Sequence, residues 1–352
     1  MSPLTVLKTP PLPSPASQER ETRLVDSFGR RLNYLRVSVT DRCNLRCTYC
    51  LPADMEFPFG DKAFLSPAEM ETLVGALVRL GIRQVRLTGG EPLVRKDILE
   101  IVRRLRSLPG LEDLALSTNG TELARLAPEL KAAGLDRVNI SVDSLDPERF
   151  EALTRRGGLK EVWNGVEAAL DTGLHPVKLN SVLLADGIAD GMEDFDRLAA
   201  LTLDRPLAVR FIELMATASN KHLEGQFLSA DVVRDRLEAR FGKLTPVEDG
   251  RPRTGPAKAF RFEGAVGTIG FITPMSHTFC ADCNRLRLTS RGDLRLCLFA
   301  DKYHPLRPLL AEKDPDAALE AEILRVLQDK PEEHGLARGD YGNLVSFMQF
   351  GG

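Results

Sequence analysis

Residues 34–50 are YLRVSVTDRCNLRCTYC, an apolar segment that runs directly into three closely spaced cysteines. The Val and Leu content of Tyr34–Val39 is typical of a buried β-strand. Cys43, Cys47 and Cys50 follow at the carboxyl end of that strand. In parallel α/β folds, the loops at the carboxyl ends of the strands carry the chemistry. We therefore expect the three thiols to belong to a functional site.

Further apolar segments of this kind alternate with helical patterns along the chain. They are Gln84–Leu87, Leu114–Ser117, Arg137–Val142, Val177–Leu183 and Leu207–Ile212. Near-continuous apolar strands separated by helices predict a parallel sheet that is covered by helices. The resulting six strand–helix units are fewer than the eight of a closed barrel. We therefore predict an α/β fold with an open or partial barrel.

Helix boundaries support this alternation. Residues 66–69 (SPAE) form a capping box with proline at the first helical position, and Gly81 stands where that helix would end. Thr121 and Gly134 frame another helix in the same way. These signals place a helix after the first strand and another after the third.

Composition divides the chain into three regions. Residues 1–21 are rich in Pro and Ser and predict a flexible lead-in. Residues 22–242 carry the strand–helix alternation, which stops after Gly242. Residues 243–352 contain the second cysteine group. We therefore predict a core domain followed by a C-terminal domain.

Bulk composition excludes several classes of protein. A 43% hydrophobic and 28% charged chain is ordinary for a globular protein, and a net charge of -3 gives no general attraction to nucleic acid or anionic lipid. The first residues lack the pattern of a signal peptide, and no stretch approaches the roughly 20 apolar residues of a membrane span. We expect a cytoplasmic protein without a nucleic-acid or membrane partner.

The six cysteines fall in two tight groups, which favours metal binding over disulfides in a reducing compartment. We name Cys43, Cys47 and Cys50 the first triplet, and Cys280, Cys283 and Cys297 the second triplet. Three thiolates are one short of a closed tetrahedral zinc site. They suit a four-iron cluster with one iron left open, since such clusters are held by Cys thiolates. Zinc with a fourth ligand from elsewhere in the chain is the alternative.

Two further motifs complete a resemblance to the radical S-adenosylmethionine (SAM) superfamily. The first triplet has the superfamily's spacing, with the aromatic Tyr49 before the last cysteine. Residues 88–92 (TGGEP) end the second strand, where glycines let a ligand approach the backbone closely. Ser141, at the end of the fourth strand, resembles the residue that contacts the adenosine ribose. Ordinary strand-end packing is its alternative.

The C-terminal region narrows the resemblance to the GTP 3',8-cyclase family, which begins molybdenum cofactor synthesis. The matching motifs are residues 210–215 (RFIELM), 270–274 (GFITP), 280–288 (CADCNRLRL) and the terminal Gly351–Gly352. Arg285 and Arg287 are two apart and so share one face of an extended segment. Paired guanidiniums of this kind suit phosphate, and a solvated charged strand is the alternative.

The resemblance implies a role for each matching residue. It implies [4Fe-4S] clusters on both triplets. It implies SAM contacts for Tyr49, Gly90, Ser141 and Met215. It implies GTP contacts for Arg36, Arg86, Thr118, Lys178, Arg285, Leu286 and Arg287, and catalytic roles for Arg210, Gly351 and Gly352. Lys178 has independent support, because an unpaired charge in an apolar strand is costly.

The resemblance also implies a reaction and partners. Reductive cleavage of SAM would yield a 5'-deoxyadenosyl radical that removes the 3'-hydrogen of GTP, and the ribose carbon would then attack C8 of guanine. The product would pass to cyclic pyranopterin monophosphate synthase, and a flavodoxin or ferredoxin would supply electrons. The sequence leaves the oligomeric state open, and a homodimer is one option. A radical SAM enzyme acting on peptides and a non-catalytic zinc protein that binds RNA are alternative functions.

Overall fold

The computed structural model describes residues 22–57, 60, 63–185, 188–215, 217–247 and 255–336. Parallel strands in chain order form its centre: β1 (Tyr34–Ser38), β2 (Gln84–Thr88), β3 (Asp113–Thr118), β4 (Arg137–Ser141), β5 (Val177–Leu183) and β6 (Leu207–Glu213). The six predicted strands are confirmed, and their ends differ from the prediction by at most one residue.

Helices follow the strands and cover the outer face of the sheet. They are α1 (Pro67–Leu80), α2 (Ile98–Arg106), α3 (Leu123–Ala132), α4 (Pro147–Thr154), α5 (Leu159–Asp171), α6 (Ile188–Asp204), α7 (Ala230–Phe241) and α8 (Pro315–Leu327). None of the described helices combines the length and the apolar character that a membrane crossing requires.

The predicted capping box at the start of α1 is confirmed. The Ser66 hydroxyl accepts a hydrogen bond from the Glu69 amide (3.3 Å), and the Glu69 carboxylate accepts one from the Ser66 amide (2.8 Å). Gly81 ends the helix with a φ of 128°. The expected cap at Thr121 is wrong, because α3 begins two residues later and the Thr121 hydroxyl bonds to Asn119 instead.

Strands from the C-terminal region extend the sheet on both flanks. They are β7 (Thr245–Pro246), β8 (Lys258–Arg261), β9 (Thr268–Ile272), β10 (Arg285–Leu288), β11 (Asp293–Arg295) and β12 (His304–Pro305). β9 pairs in parallel with β6, and β10 pairs in parallel with β1. The 12-stranded sheet has the order β12-β11-β10-β1-β2-β3-β4-β5-β6-β9-β8-β7. The described strands therefore form an open barrel, which confirms the predicted fold.

The two faces of the central strands differ in chemistry. Side chains alternate between faces along a strand. In β1, Leu35 and Val37 belong to the hydrophobic core beneath the helices. Tyr34 and Arg36 lie on the opposite, inner face and are also buried. The inner face of the barrel is therefore polar and charged.

Candidate functional site

The first triplet lies in the loop between β1 and α1. Its cysteines are free and half-buried, and the amides of Cys50 and Leu51 both bond to the Cys47 carbonyl (2.9 and 3.0 Å). The Leu45 amide donates to Cys43 Sγ (3.4 Å). Burial, with the Glu91 charge, raises the pKa of Cys43 to about 11. A metal must therefore displace the thiol protons, and the three soft donors fit an iron–sulfur cluster.

The second triplet has a different electrostatic environment. Cys280 and Cys283 lie just before β10, and Cys297 follows β11. Burial would raise the pKa of Cys283, but Arg285 and Lys330 outweigh it and lower this pKa to about 6. A Cys283 thiolate held between cations also fits a cluster, whereas burial raises the pKa of Cys280. Because β1 and β10 are parallel neighbours, the two triplets lie at opposite ends of this strand pair.

The triplets do not resemble sites for a single ion. Among the described residues, no three Cys, His, Asp or Glu side chains form a group that could hold one metal ion. The ligands of zinc must all lie about 2–2.3 Å from that ion.

Gly89 and Gly90 pack the end of β2 against the loop of the first triplet. The amide of Gly90 donates to the Thr40 carbonyl (2.8 Å), and the next amide donates to the Arg42 carbonyl (2.7 Å). A Cβ at Gly90 would collide with the Arg42 carbonyl, and Gly89 has a φ of 136°. The sequence needs glycine at both positions to bring backbone polar groups beside the first triplet.

Glu91 organises this end of the barrel. It is fully buried and accepts hydrogen bonds from the Leu93 amide (2.9 Å), the Thr118 hydroxyl (2.7 Å) and the Asn119 amide (2.6 Å). Burial raises the pKa of Glu91 to about 7. The Asn119 side chain also donates to Asn44 (2.7 Å), beside the first triplet. Sequence reasoning missed Asn119, whose role depends on contacts that no local pattern reveals.

The structure brings together most of the predicted SAM contacts. The Asn220 side chain donates to the carbonyls of both Tyr49 and Met215, at 3.0 Å each. The Tyr49 hydroxyl donates to the Asp143 carboxylate (2.6 Å), just beyond β4. Ser141 ends β4 with its side chain exposed. These residues and Gly90 all lie at the carboxyl ends of the strands.

A group of cations lines the inner face of the barrel. We name them the inner-face cations: Arg36, Arg86, Arg137, Lys178, Arg210, Arg285 and Arg287. The charges of Arg86 on β2 and Arg210 on β6 act on each other, so the curved sheet brings distant strands within electrostatic reach. Asp113 faces the group, and both of its oxygens bond to Arg137 (2.7 and 2.5 Å).

Crowding of like charges has a clear effect on these groups. Burial lowers the pKa of Lys178 to about 5, and Arg210, Arg137 and Arg86 add to the shift. Burial, with the Arg86 and Arg137 charges, lowers the pKa of Arg210 to about 9. Among the described residues, no carboxylate forms an ion pair with Lys178, Arg210 or Arg86. The inner face therefore favours a multiply charged anion.

Two residues expected to contact GTP lie apart from this group. The Thr118 hydroxyl donates to Glu91 and so belongs to the SAM side. The Leu286 side chain packs in the hydrophobic core. Arg285 and Arg287 are buried at 8% and 4% exposure, so the alternative of a solvated strand is wrong. Gly351 and Gly352 lie outside the described residues.

Sequence reasoning also missed Tyr34, Arg137 and Asp143. Tyr34 and Arg137 share the inner face with the cations named above. A polar residue at every second position of an otherwise apolar strand was the available signal. Asp143 carried no such signal, because it lies beyond the end of β4.

Comparisons with known proteins agree with this geometry. Residues 37–199 match the family model described as the radical SAM superfamily, and residues 207–336 match Molybdenum Cofactor Synthesis C. A curated GTP 3',8-cyclase from Pelotomaculum thermopropionicum is 45% identical over 330 residues, which cover 93% of this chain and 99% of that protein. The GTP 3',8-cyclase of Geobacter sulfurreducens is 45% identical over 315 residues, 89% of this chain and 94% of that protein.

Solved structures support the fold at low sequence identity. Streptococcus suis SuiB bound to S-adenosylmethionine has a TM-score of 0.58 and 16% identity, and the match covers 87% of this chain and 68% of SuiB. This similarity concerns the fold alone, whereas the curated relatives match nearly the whole chain at higher identity. The chain therefore belongs to the GTP 3',8-cyclase family of the radical SAM superfamily.

Proposed function

We propose that the protein is a GTP 3',8-cyclase that catalyses the first step of molybdenum cofactor synthesis. It converts GTP to (8S)-3',8-cyclo-7,8-dihydroguanosine 5'-triphosphate, with 5'-deoxyadenosine and methionine as co-products. The observation that carries this proposal is the position of the inner-face cations, in a barrel whose two ends each hold three cysteines. The negative charge of a nucleoside triphosphate would neutralise these cations.

The first triplet would hold the cluster that binds SAM. When bound, a reduced cluster of this type supplies the electron for reductive cleavage of SAM. Gly90 presents its backbone beside the triplet, and the exposed Ser141 is available to the ribose hydroxyls. Tyr49 and Met215 are fixed to each other through Asn220, so both sides of the SAM site are positioned before SAM binds.

The inner-face cations would bind the triphosphate of GTP. Arg36 and Arg86 project from neighbouring strands, and the charge of Arg86 acts on Lys178 across the inner face. Arg285 and Arg287 extend the positive charge towards the second triplet. Thr118 would act from the SAM side of the substrate, and Leu286 could contribute only its backbone. Burial lowers the pKa of Arg210. Its guanidinium would hold a positive charge next to the reacting nucleotide.

The second triplet would hold a second [4Fe-4S] cluster whose open iron meets the guanine base. Lys330 supports this end, because its ammonium donates to the carbonyls of Arg285 (3.2 Å) and Leu296. We extend the proposal to Gly351–Gly352, for which the family resemblance implies a role in the active site. Cyclic pyranopterin monophosphate synthase as the next enzyme, flavodoxin or ferredoxin as reductant, and a homodimer are further expectations.

Anaerobic reconstitution followed by metal analysis and turnover tests the proposal. We expect about eight irons per chain, since each triplet would hold four. Incubation with GTP, SAM and a strong reductant should then yield equal amounts of 5'-deoxyadenosine and cyclised nucleotide by mass analysis. Stoichiometric zinc with negligible iron would support the zinc protein instead. SAM cleavage without any nucleotide product would favour a different substrate, such as a peptide.

A further inference from the structure

We propose that Tyr34 is a further substrate-binding residue, whose phenolic O–H donates a hydrogen bond to a phosphate oxygen of the nucleotide. This inference rests on the proposed function and adds a neutral donor to a site otherwise built of cations. Tyr34 begins β1 on the inner face. Its register partners are Arg285 on β10 and Gln84 on β2. It therefore stands between the second triplet and the centre of the barrel.

The charges that act most strongly on Tyr34 are cations, and none of the described residues accepts its proton. The side chain is fully buried, and the Arg86 guanidinium lies over its ring at 5.3 Å from the centroid. Arg36 and Arg137 are the other charged groups that act on it most strongly. Guanidiniums only donate hydrogen bonds. The Arg36 guanidinium faces the phenolic oxygen as a donor, and among the described residues no group accepts a hydrogen bond from the Tyr34 hydroxyl.

Buried polar groups are nearly always hydrogen-bonded, so a buried hydroxyl without an acceptor indicates a missing partner. The missing partner must accept a hydrogen bond and must tolerate several cations nearby. A phosphate oxygen meets both requirements, since it is an acceptor and carries negative charge. Asp113 acts on Tyr34 through its charge, but its oxygens accept from Arg137 and not from Tyr34.

Electrostatics strengthen Tyr34 as a donor. Burial alone would raise the pKa of Tyr34, but the charges of Arg86, Arg36 and Arg137 outweigh burial and lower it. A more acidic hydroxyl donates a stronger hydrogen bond to an anionic acceptor. The same cations that attract the triphosphate therefore also prepare the Tyr34 proton for it.

Tyr34→Phe tests the inference, because it removes the hydroxyl and keeps the ring beneath Arg86. The reconstituted variant should bind GTP about tenfold more weakly by anaerobic calorimetry without reductant, as expected for one lost hydrogen bond to a charged acceptor. Inorganic triphosphate, used as a second probe, should lose affinity by the same factor. Reductive cleavage of SAM should keep the parent rate, since Tyr34 lies away from the SAM side.

Tyr303→Phe is a matched control. Tyr303 also stacks with an arginine, at 4.5 Å from Arg295, and accepts its hydrogen bond (2.9 Å), but it is 39% exposed. This variant should bind GTP like the parent. Iron content and melting temperature of both variants establish that each is folded and loaded.

Two results would overturn the inference. Parent affinity for GTP in a folded Tyr34→Phe protein would show that the hydroxyl makes no contact with the nucleotide. A loss for GTP with none for inorganic triphosphate would place the contact on the nucleoside instead of a phosphate. Failure of the proposed function is distinct, because the parent protein itself would then bind no GTP and form no cyclised product.

Discussion

The two ends of the barrel are built on opposite physical principles. At the end that carries the first triplet, buried polar groups find their partners within the protein, as Glu91 does with three donors. Along the inner face towards the second triplet, Lys178 is buried and Arg210 is half-buried among like charges. The first end is complete before its ligand arrives. The second is complementary to a charge that only the ligand brings.

The two ends therefore contribute differently to the free energy of folding. A satisfied hydrogen-bond network contributes to folding and holds groups in place. Crowded cations oppose folding, and their repulsion is relieved when an anion binds. We therefore expect damage at the first end to appear in SAM chemistry or stability, and damage on the inner face to appear in GTP affinity.

The largest effect should come from the cysteines. Replacing any cysteine of the first triplet by serine should abolish both SAM cleavage and GTP cyclisation, because one cluster serves both steps. Cys280→Ser should lower cyclisation sharply and SAM cleavage much less, because the second triplet would contact only the substrate. Anaerobic assays of 5'-deoxyadenosine and cyclised nucleotide measure both outcomes.

Iron analysis of each cysteine variant serves as the control for that comparison. Cys280→Ser should lose about four irons and keep the rest. If a folded Cys280→Ser protein cyclised GTP at the parent rate, the division of labour between the two ends would be wrong.

The next effect concerns the inner-face cations. Arg86→Gln should weaken GTP binding on the order of 100-fold, because it removes a buried charge that faces the triphosphate. SAM cleavage should be nearly unchanged, and the melting temperature without GTP should not fall. Calorimetry and thermal denaturation measure these quantities. Arg103→Gln, at an exposed position on α2, is the matched control and should bind GTP normally.

Glu91→Gln should have a smaller effect, and mainly on folding. The glutamine amide cannot accept all three hydrogen bonds that the carboxylate accepts, so one buried donor would lose its partner. We expect a loss of about 2 kcal/mol in the free energy of unfolding, measured with denaturant. GTP affinity of the folded variant should change little. A large loss of GTP affinity with unchanged stability would contradict the contrast between the two ends.

The smallest effect is a pH dependence at Lys178. Its pKa of about 5 leaves it neutral at pH 7, and a bound triphosphate should raise this pKa. GTP binding at pH 7 should therefore take up a proton at Lys178, with affinity falling by at most about 1.4 kcal/mol per pH unit as pH rises. Calorimetry in buffers of different ionisation enthalpy measures the uptake, and Lys178→Met should lack it.

The same shift sets the sign of a stability change. The unfolded chain binds the Lys178 proton up to its ordinary pKa, whereas the folded protein releases it above about pH 5. Lys178 therefore lowers the free energy of unfolding most at low pH. This destabilisation decreases as pH rises from about 5, the pKa in the folded protein, to 10.5, the ordinary pKa of lysine. Lys178→Met should accordingly stabilise the protein without GTP.

Local pattern was sufficient for part of this structure. The strands were predictable because apolar runs and turn residues lie side by side in the sequence, and the triplets because cysteine spacing is itself local. The face on which a residue lies was harder. The resemblance implies a GTP contact for Thr118, but Thr118 has the same orientation in β3 as the buried Leu114 and Leu116. The position of Tyr34 beside Arg137 and Arg86 depends on the pairing and curvature of the sheet, which no local sequence pattern reveals.

The contribution of the C-terminal strands to both flanks of the sheet has a consequence for biosynthesis. A nascent chain that has reached Gly242 would present β1 and β6 as bare edges, and bare edges are templates for pairing with other chains. β9 covers one edge and β10 the other, and both emerge late from the ribosome. The segment that carries Cys280 and Cys283 thus also covers the edge of β1 and removes it as a template for aggregation.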